Sequence, residues 1–307
     1  MSIARKSLAI ASIFALSFSM TACNRGEAGQ DSVTLALSTQ SNPFFVELRD
    51  GAQKKADELG VKLSIQDASD DASTQADQLK NAETSGSGVV IVNPTDSDAV
   101  VPSVKSLNNA KIPVIAVDRS ASEGEIASFI ASDNVAGGKQ AAEALAKSIG
   151  EEGEVLILQG IAGSSASRDR GKGFEEGISA FPNIKVAAKQ TANFDRTEGL
   201  NVTTNLLQAH PNVKAVFAEN DEMALGAIEA LGAKAGKEVK VFGFDGTADG
   251  IAAVEKGSLA GTIAQQPAEL GAQAVEQAKA LLDGKDAKKE IPVEVVTVDS
   301  SNVAEFK

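Results

Sequence analysis

Asn42, Asn93, Asp118, Arg119, Arg170, Asn220, Asp245 and Gln265 are the side chains of this sequence best suited to recognising a small polar ligand. Each is planar and offers paired donors or acceptors, the arrangement that two neighbouring hydroxyls require. Those that carry charge make the stronger hydrogen bonds. Phenylalanines stand close to several of them: Phe44-Phe45, Phe194 and Phe244. Flat apolar rings suit the C–H faces of a carbohydrate ring. The chain has no Trp and no Tyr, so an aromatic wall must come from its twelve Phe. Taken singly, each polar residue has a plainer reading. Asn42 before Pro43 suits a helix N-cap with Pro at N1. Asn220 suits another cap, Asp245-Gly246 a turn, Asp118-Arg119 a surface ion pair, and Arg170 a solvated helix face.

Spacing favours a shared site. Asn93 precedes Asp118 by 25 positions, and Asn220 precedes Asp245 by 25 positions. Both pairs sit in the same pattern: an apolar run ending in Asn, a helical stretch, then an apolar run ending in Asp. Two equivalent halves therefore carry the same polar pair at their strand tips. In open α/β sheets ligands bind beyond the carboxyl ends of the strands. Two such domains facing one another would gather both pairs into one cleft, a favoured place for ligands.

The elements that must hold these residues alternate along the chain. Short β-rich apolar runs are expected as strands: Val33–Ser38, Val61–Ile65, Val89–Asn93, Ile112–Asp118, Glu154–Gly160, Val213–Asn220, Val239–Asp245 and Leu259–Gln265. Several are apolar without alternation, as in parallel strands buried on both faces. Amphipathic helices lie between them. One places Phe45, Leu48, Ala52, Ala56 and Leu59 on one side, with Gly60 as its stop. Repeated strand–helix units predict an α/β fold of doubly wound parallel sheets, and 307 residues suggest two domains.

Other chemistries are poorly represented. His210 is the only histidine and precedes Pro211, so no Ser-His-Asp triad is expected. One Cys and one His do not make the usual zinc site. RGKGFEEG (Arg170–Gly177) has one residue too many for G-x-G-x-x-G, and its glycines read as helix packing. DASDD (Asp67–Asp71) lacks the glycine and distal glutamate of an EF-hand loop. A net charge of −13 with no polybasic block argues against nucleic acid and is read as solubility. Neither catalysis nor a cofactor or metal is expected.

The first residues read as an export signal. Arg5 and Lys6 precede the apolar run Leu8–Met20, which is shorter than the roughly 20 residues a spanning helix needs. Met20-Thr21-Ala22-Cys23 follows, resembling a bacterial lipobox, with Met20 where Leu is usual. Cys23, the only cysteine, is the expected diacylglycerol acceptor, and two acyl chains anchor stably.

The motifs STQSNPFF (Ser38–Phe45), NPTDSDAV (Asn93–Val100), IPVIAVDR (Ile112–Arg119) and LQGIAGSSASRDRGKGF (Leu158–Phe174) resemble the bacterial D-ribose-binding proteins of ABC transporters. ANFDRTEGLNV (Ala192–Val202), VFAENDEMALGA (Val216–Ala227), GFDGT (Gly243–Thr247) and TIAQQP (Thr262–Pro267) extend the resemblance to about Val298. Ser41 departs from the Asn common in that family. The resemblance implies a type I periplasmic binding protein fold. It divides the chain into a signal peptide (1–22), a lipidated linker (23–32), a first domain (33–132 plus 266–294) and a second domain (133–265 plus 295–307). It implies that Phe44, Phe45 and Phe194 sandwich a sugar ring with Phe244 beside them. Asn42, Asn93, Asp118, Arg119, Arg170, Asn220, Asp245 and Gln265 would be its hydroxyl ligands, and Ser38 a cleft residue of the first domain. The implied ligand is D-ribose, with another pentose, an allose-like hexose or a furanosyl signal as the alternative. The implied partners are an ABC permease and its ATPase, and for some members a chemotaxis or sensor receptor. A monomer is expected, in the periplasm or on the outer face of the cytoplasmic membrane. A repressor core shares this fold, but an export signal stands where its helix-turn-helix would lie.

Overall fold

The computed structural model describes residues 32–306; the export signal and Cys23 lie outside them. Two six-stranded sheets organise the chain. The first contains β1 (Ser32–Leu37), β2 (Lys62–Asp67), β3 (Val89–Val92), β4 (Val114–Val117), β5 (Ser128–Ser132) and, from far along the chain, β11 (Glu290–Val293). Their spatial order is β11-β5-β4-β3-β1-β2, and every pairing is parallel. The second contains β6 (Gly153–Gln159), β7 (Ile184–Thr191), β8 (Ala215–Ala218), β9 (Lys240–Asp245), β10 (Gly261–Ala264) and β12 (Val296–Asp299). Its order is β12-β10-β9-β8-β6-β7, and only β12 runs antiparallel.

Strand alternation explains how each sheet is covered. In the first, Leu35 and Ile91 face α1 (Pro43–Leu59) and α9 (Pro267–Leu282), while Ala36, Val90 and Val92 face α2 (Ala72–Ser85) and α3 (Val101–Asn109). In the second, Val155 and Ile157 face α4 (Asn134–Ser148) and α5 (Ser165–Ile178). Leu156 and Leu158 face α6 (Arg196–Ala209), α7 (Asp221–Leu231) and α8 (Ala248–Glu255). Strands β3, β4, β8 and β10 are buried throughout, as continuous apolar runs predict.

Both sheets place the second strand outside the first and then wind the other way, which creates a switch point between β1 and β3 and another between β6 and β8. The chain passes between the sheets at three places: from β5 to α4, from β10 to α9, and from β11 to β12. Asn42 accepts from the Phe44 amide as N-cap of α1, and Gly60 ends that helix at φ 65°. Leu59 departs from the expected buried face: at the last turn it is 37% exposed, and Phe44 is buried instead.

Candidate functional site

The carboxyl ends of the two sheets face each other across one cleft. A small cavity there has about 240 Å³ of space free of protein atoms, its open mouth included. Its walls are Asn42, Phe44, Phe45, Asp118 and Arg119 from the first unit and Ala166, Arg170, Phe194, Asn220 and Asp245 from the second. Ala166 is the one wall residue that sequence reasoning missed; a small apolar side chain carries no chemical signal of its own.

The aromatic walls arise from local structure. Phe44 and Phe45 occupy the first turn of α1, edge to face at 5.1 Å between centroids. Phe194 follows β7 in a left-handed conformation, φ 60°, one residue after Asn193 at φ 51°. Asp118 (φ 63°) and Asp245 (φ 128°) also take positive φ. Such backbone is uncommon for residues other than glycine and gathers at functional sites. Here it turns two carboxylates and one ring into the same space.

Two guanidiniums stand across Phe194. Arg119 Cζ lies 5.4 Å from that ring's centroid and 5.1 Å from that of Phe45, while Arg170 Cζ lies 5.9 Å away. Arg119 pairs with Asp118 at 3.5 Å, and Arg170 with Asp245 at 3.4 Å. All four are at least 95% buried, so Asp118-Arg119 is not the surface pair, and Arg170 not the solvated helix residue, that plainer readings allowed. Burial pushes both Asp118 and Asp245 above the usual carboxylate range, against the pull of the arginines. Burial likewise lowers Arg119.

The remaining predicted residues stand one layer back. Asn93 is wholly buried and does not line the cavity. It accepts from the Ser38 amide at 3.2 Å and donates to Val117 O and Asp118 Oδ2, both at 3.1 Å. Ser38 is fully buried, with its hydroxyl unpartnered. Gln265 donates to Asp245 Oδ1 at 2.7 Å, and its Oε1 has no protein partner. Phe244, expected beside the ring walls, lies outside the cavity lining. Strand period two turns it away from Asp245 into the core under α5, where Arg170 Cζ sits 3.9 Å over its ring. Its place is a platform for the guanidinium.

The echo between the halves is topological rather than chemical. Asn93 bonds its Asp118, but Asn220 caps α7 by accepting from Met223 and donates to Phe194 O at 3.1 Å. Asp245 turns instead to Arg170 and Gln265. The lips of the cleft touch directly. The Ser97 amide donates to Gly163 O at 3.0 Å, and the Ser120 amide to Ser165 Oγ at 2.9 Å.

The arrangement presents buried carboxylate, guanidinium and amide groups between aromatic faces. Asp118 Oδ1 makes no hydrogen bond within the protein, and Arg119 Nε has none beyond its 3.5 Å ion pair with Asp118 Oδ2. Buried polar groups require partners, so a ligand with several hydroxyls fits this lining.

A profile of the periplasmic binding protein domain matches residues 33–286. The ribose import binding protein RbsB of Salmonella typhimurium is 48% identical over 294 residues, 96% of this chain and 98% of the relative. RbsB of Bacillus subtilis is 42% identical, over 92% of this chain and 96% of the relative. The Caulobacter myo-inositol binding protein, solved with myo-inositol, shares a TM-score of 0.86 at 33% identity, covering 91% of this chain and 96% of that one. An ABC transporter solute-binding protein of Actinobacillus succinogenes, solved with D-allose, gives 0.84 at 32%, covering 89% and 99%. Two doubly wound sheets, their opposed strand tips and these relatives agree that the chain belongs to the periplasmic binding protein family.

Proposed function

We propose that this protein captures D-ribose between its two domains and delivers it to an ABC importer. The observation that carries this reading is the pair of buried carboxylate–guanidinium couples, one from each domain, facing one small cavity walled by phenylalanine. Phe44, Phe45 and Phe194 hold the faces of the sugar ring. Asp118, Arg119, Arg170, Asn220, Asp245 and Asn42 meet its hydroxyls, with Gln265 beside Asp245. Asn93, Ser38 and Phe244 support those groups from behind. The relatives named for ribose import, at 42–48% identity over nearly the whole chain, support the choice of sugar.

The moving bodies are residues 33–132 with 266–294, and 133–265 with 295–307. Ligand bound to one body bridges to the other, and contacts made only on closure favour the closed state. The closed protein docks on a permease whose ATPase drives import, and no step needs catalysis. The protein acts after export as a monomer. Residues 8–23 support anchoring through Cys23, which mass spectrometry of the membrane fraction tests directly. Presentation to a chemotaxis or sensor receptor would use the same closed form.

A thermal-shift panel followed by calorimetry tests the sugar. D-ribose is expected to raise the melting temperature more than other pentoses, D-allose or myo-inositol. A larger shift with D-allose or myo-inositol, the ligands in two similar structures, would keep the mechanism and change the ligand. No shift with any sugar would overturn the reading.

A further inference from the structure

Glu219 is wholly buried directly behind the cleft, one residue before Asn220. Its Oε2 accepts from the Gly160 amide at 2.7 Å and from the Ser167 hydroxyl. Its Oε1 has no partner and lies against Gly171, 2.9 Å from where a Cβ would stand. Its main-chain oxygen accepts from Arg170 Nη1 at 2.7 Å. Gly160 in turn supports Phe194: a Cβ there would stand 2.1 Å from the ring, so the ring rests on the bare α-carbon. One carboxyl group thus joins the loop under Phe194 to the first turn of α5, the helix that carries Ala166 and Arg170.

We propose that Glu219 is a positioning residue of the cleft, fixing Phe194 through Gly160, and Ala166 with Arg170 through Ser167. It does not line the cavity. The proposal rests on the sugar-binding reading above.

Charge makes this anchor sensitive to pH. Burial raises Glu219 to about 7, against the hydrogen bonds from Ser167 and Gly160. Two ionisable groups of α5 act on it: Arg170 favours the charged form and Glu175 opposes it. The carboxylate is the stronger acceptor for an amide and a hydroxyl. Protonation therefore loosens the wall, and ligand affinity falls as pH drops through about 7. Asp118, Asp221 and Asp245 are also raised by burial and titrate in the same cleft region. The contribution of Glu219 is therefore read as the difference between the wild type and Glu219→Gln.

The experiment is calorimetric titration with D-ribose from pH 6 to 8.5 on the wild type, Glu219→Gln and Glu219→Ala. Glutamine is neutral at every pH and mimics the protonated acid, so its affinity at pH 8 is expected to fall toward that of the wild type at pH 6, with a flatter pH profile. Alanine is expected to lose roughly tenfold or more, the scale of a hydrogen bond to a charged group. A purely structural role would shift melting temperature and leave the pH profile of affinity unchanged. Superimposable profiles for the wild type and Glu219→Gln overturn the proposal, and they decide it if the alanine variant does not fold. A wild type that ignores ribose refutes the ribose reading; the same titration with the sugar selected by the panel then tests Glu219.

Discussion

Arg170 Nη1 lies 3.4 Å from Asp245 Oδ1, with the guanidinium held over Phe244 and its Nε bonded to Asn134 Oδ1 at 2.8 Å. With the bond from Nη1 to Glu219 O, four protein contacts fix the arginine before any ligand arrives. Its remaining hydrogen-bonding capacity, with that of Asp245, points at the cleft.

Asp245→Ala is expected to weaken ribose binding by on the order of 10- to 100-fold, since each hydrogen bond to a charged group contributes about 1.5–3 kcal/mol. Arg170 is then buried without its counter-ion, so the melting temperature also falls. The far-UV circular dichroism is expected to stay native. Asp118→Ala is expected to act in the same way through Arg119. Near-native affinity by calorimetry in either variant would refute the site.

Phe194→Ala removes one ring wall and the aromatic face shared by Arg119 and Arg170. Cation–π contacts contribute about 0.5–2 kcal/mol, the more when desolvated. Together with the lost ring contact, a fall in affinity of at least tenfold is expected. It should appear mainly as faster release in stopped-flow fluorescence with a dye placed at the cleft lip.

Ser165 Oγ accepts the Ser120 amide from the opposite lip, a bond that the proposed hinge opening would break. Ser165→Ala is expected to speed release several-fold, because a neutral hydrogen bond contributes about 0.5–1.5 kcal/mol. Association should change little. Unchanged release would show that this contact does not hold the closed state.

Glu219 at about 7 and Asp221 at about 6 stand above their ordinary values of 4.5 and 3.8. Burial is the main cause, and it outweighs the bonds that Thr262 and Thr247 give Asp221. The folded protein therefore binds these two protons more tightly than the unfolded chain. Their charged forms cost stability above pH 7, and the cost disappears as pH falls through the folded values toward the ordinary 4.5 of Glu219 and 3.8 of Asp221. Exposed acids lowered by their partners, such as Asp71 and Glu176, act in the opposite sense only at lower pH. Scanning calorimetry on the ligand-free protein should give a higher melting temperature at pH 5.5 than at pH 8. Glu219→Gln should narrow that gap. A melting temperature that rises with pH across this window would contradict the account.

Most of the wall was legible in the sequence. Asn42, Asp118, Asn220 and Asp245 end apolar runs or begin helices, positions that topology sends to one rim. The sequence did not show how the groups divide their labour. Asn93 and Gln265 present the same amide as Asn42, and only the observed bonds separate a wall residue from one that supports a carboxylate. Phe244 was misplaced because its neighbour Asp245 faces the cleft, and successive strand residues point oppositely. Strands β5, β7, β11 and β12 were not foreseen. Residues Ser128–Ser132 carry serines at both ends, β7 is an edge strand with no buried residue and no regular alternation, and β11 and β12 depend on partners far away in the chain. Glu219 was overlooked because nothing in a sequence marks an acid as buried.

The return of the chain to its first sheet sets the order in which the molecule can be completed. Helix α9 covers the face of β1, β3 and β4, and β11 closes the edge at β5, where Lys289 reaches Ile126 across 163 residues. On a ribosome the first domain is begun first yet must wait for residues 267–293 before Leu35, Ile91 and Ile115 are fully covered. By then strands β6 to β10 have all been made. The domain synthesised second thus has its central sheet available earlier, and the nascent chain carries an open apolar surface until residues 267–293 emerge.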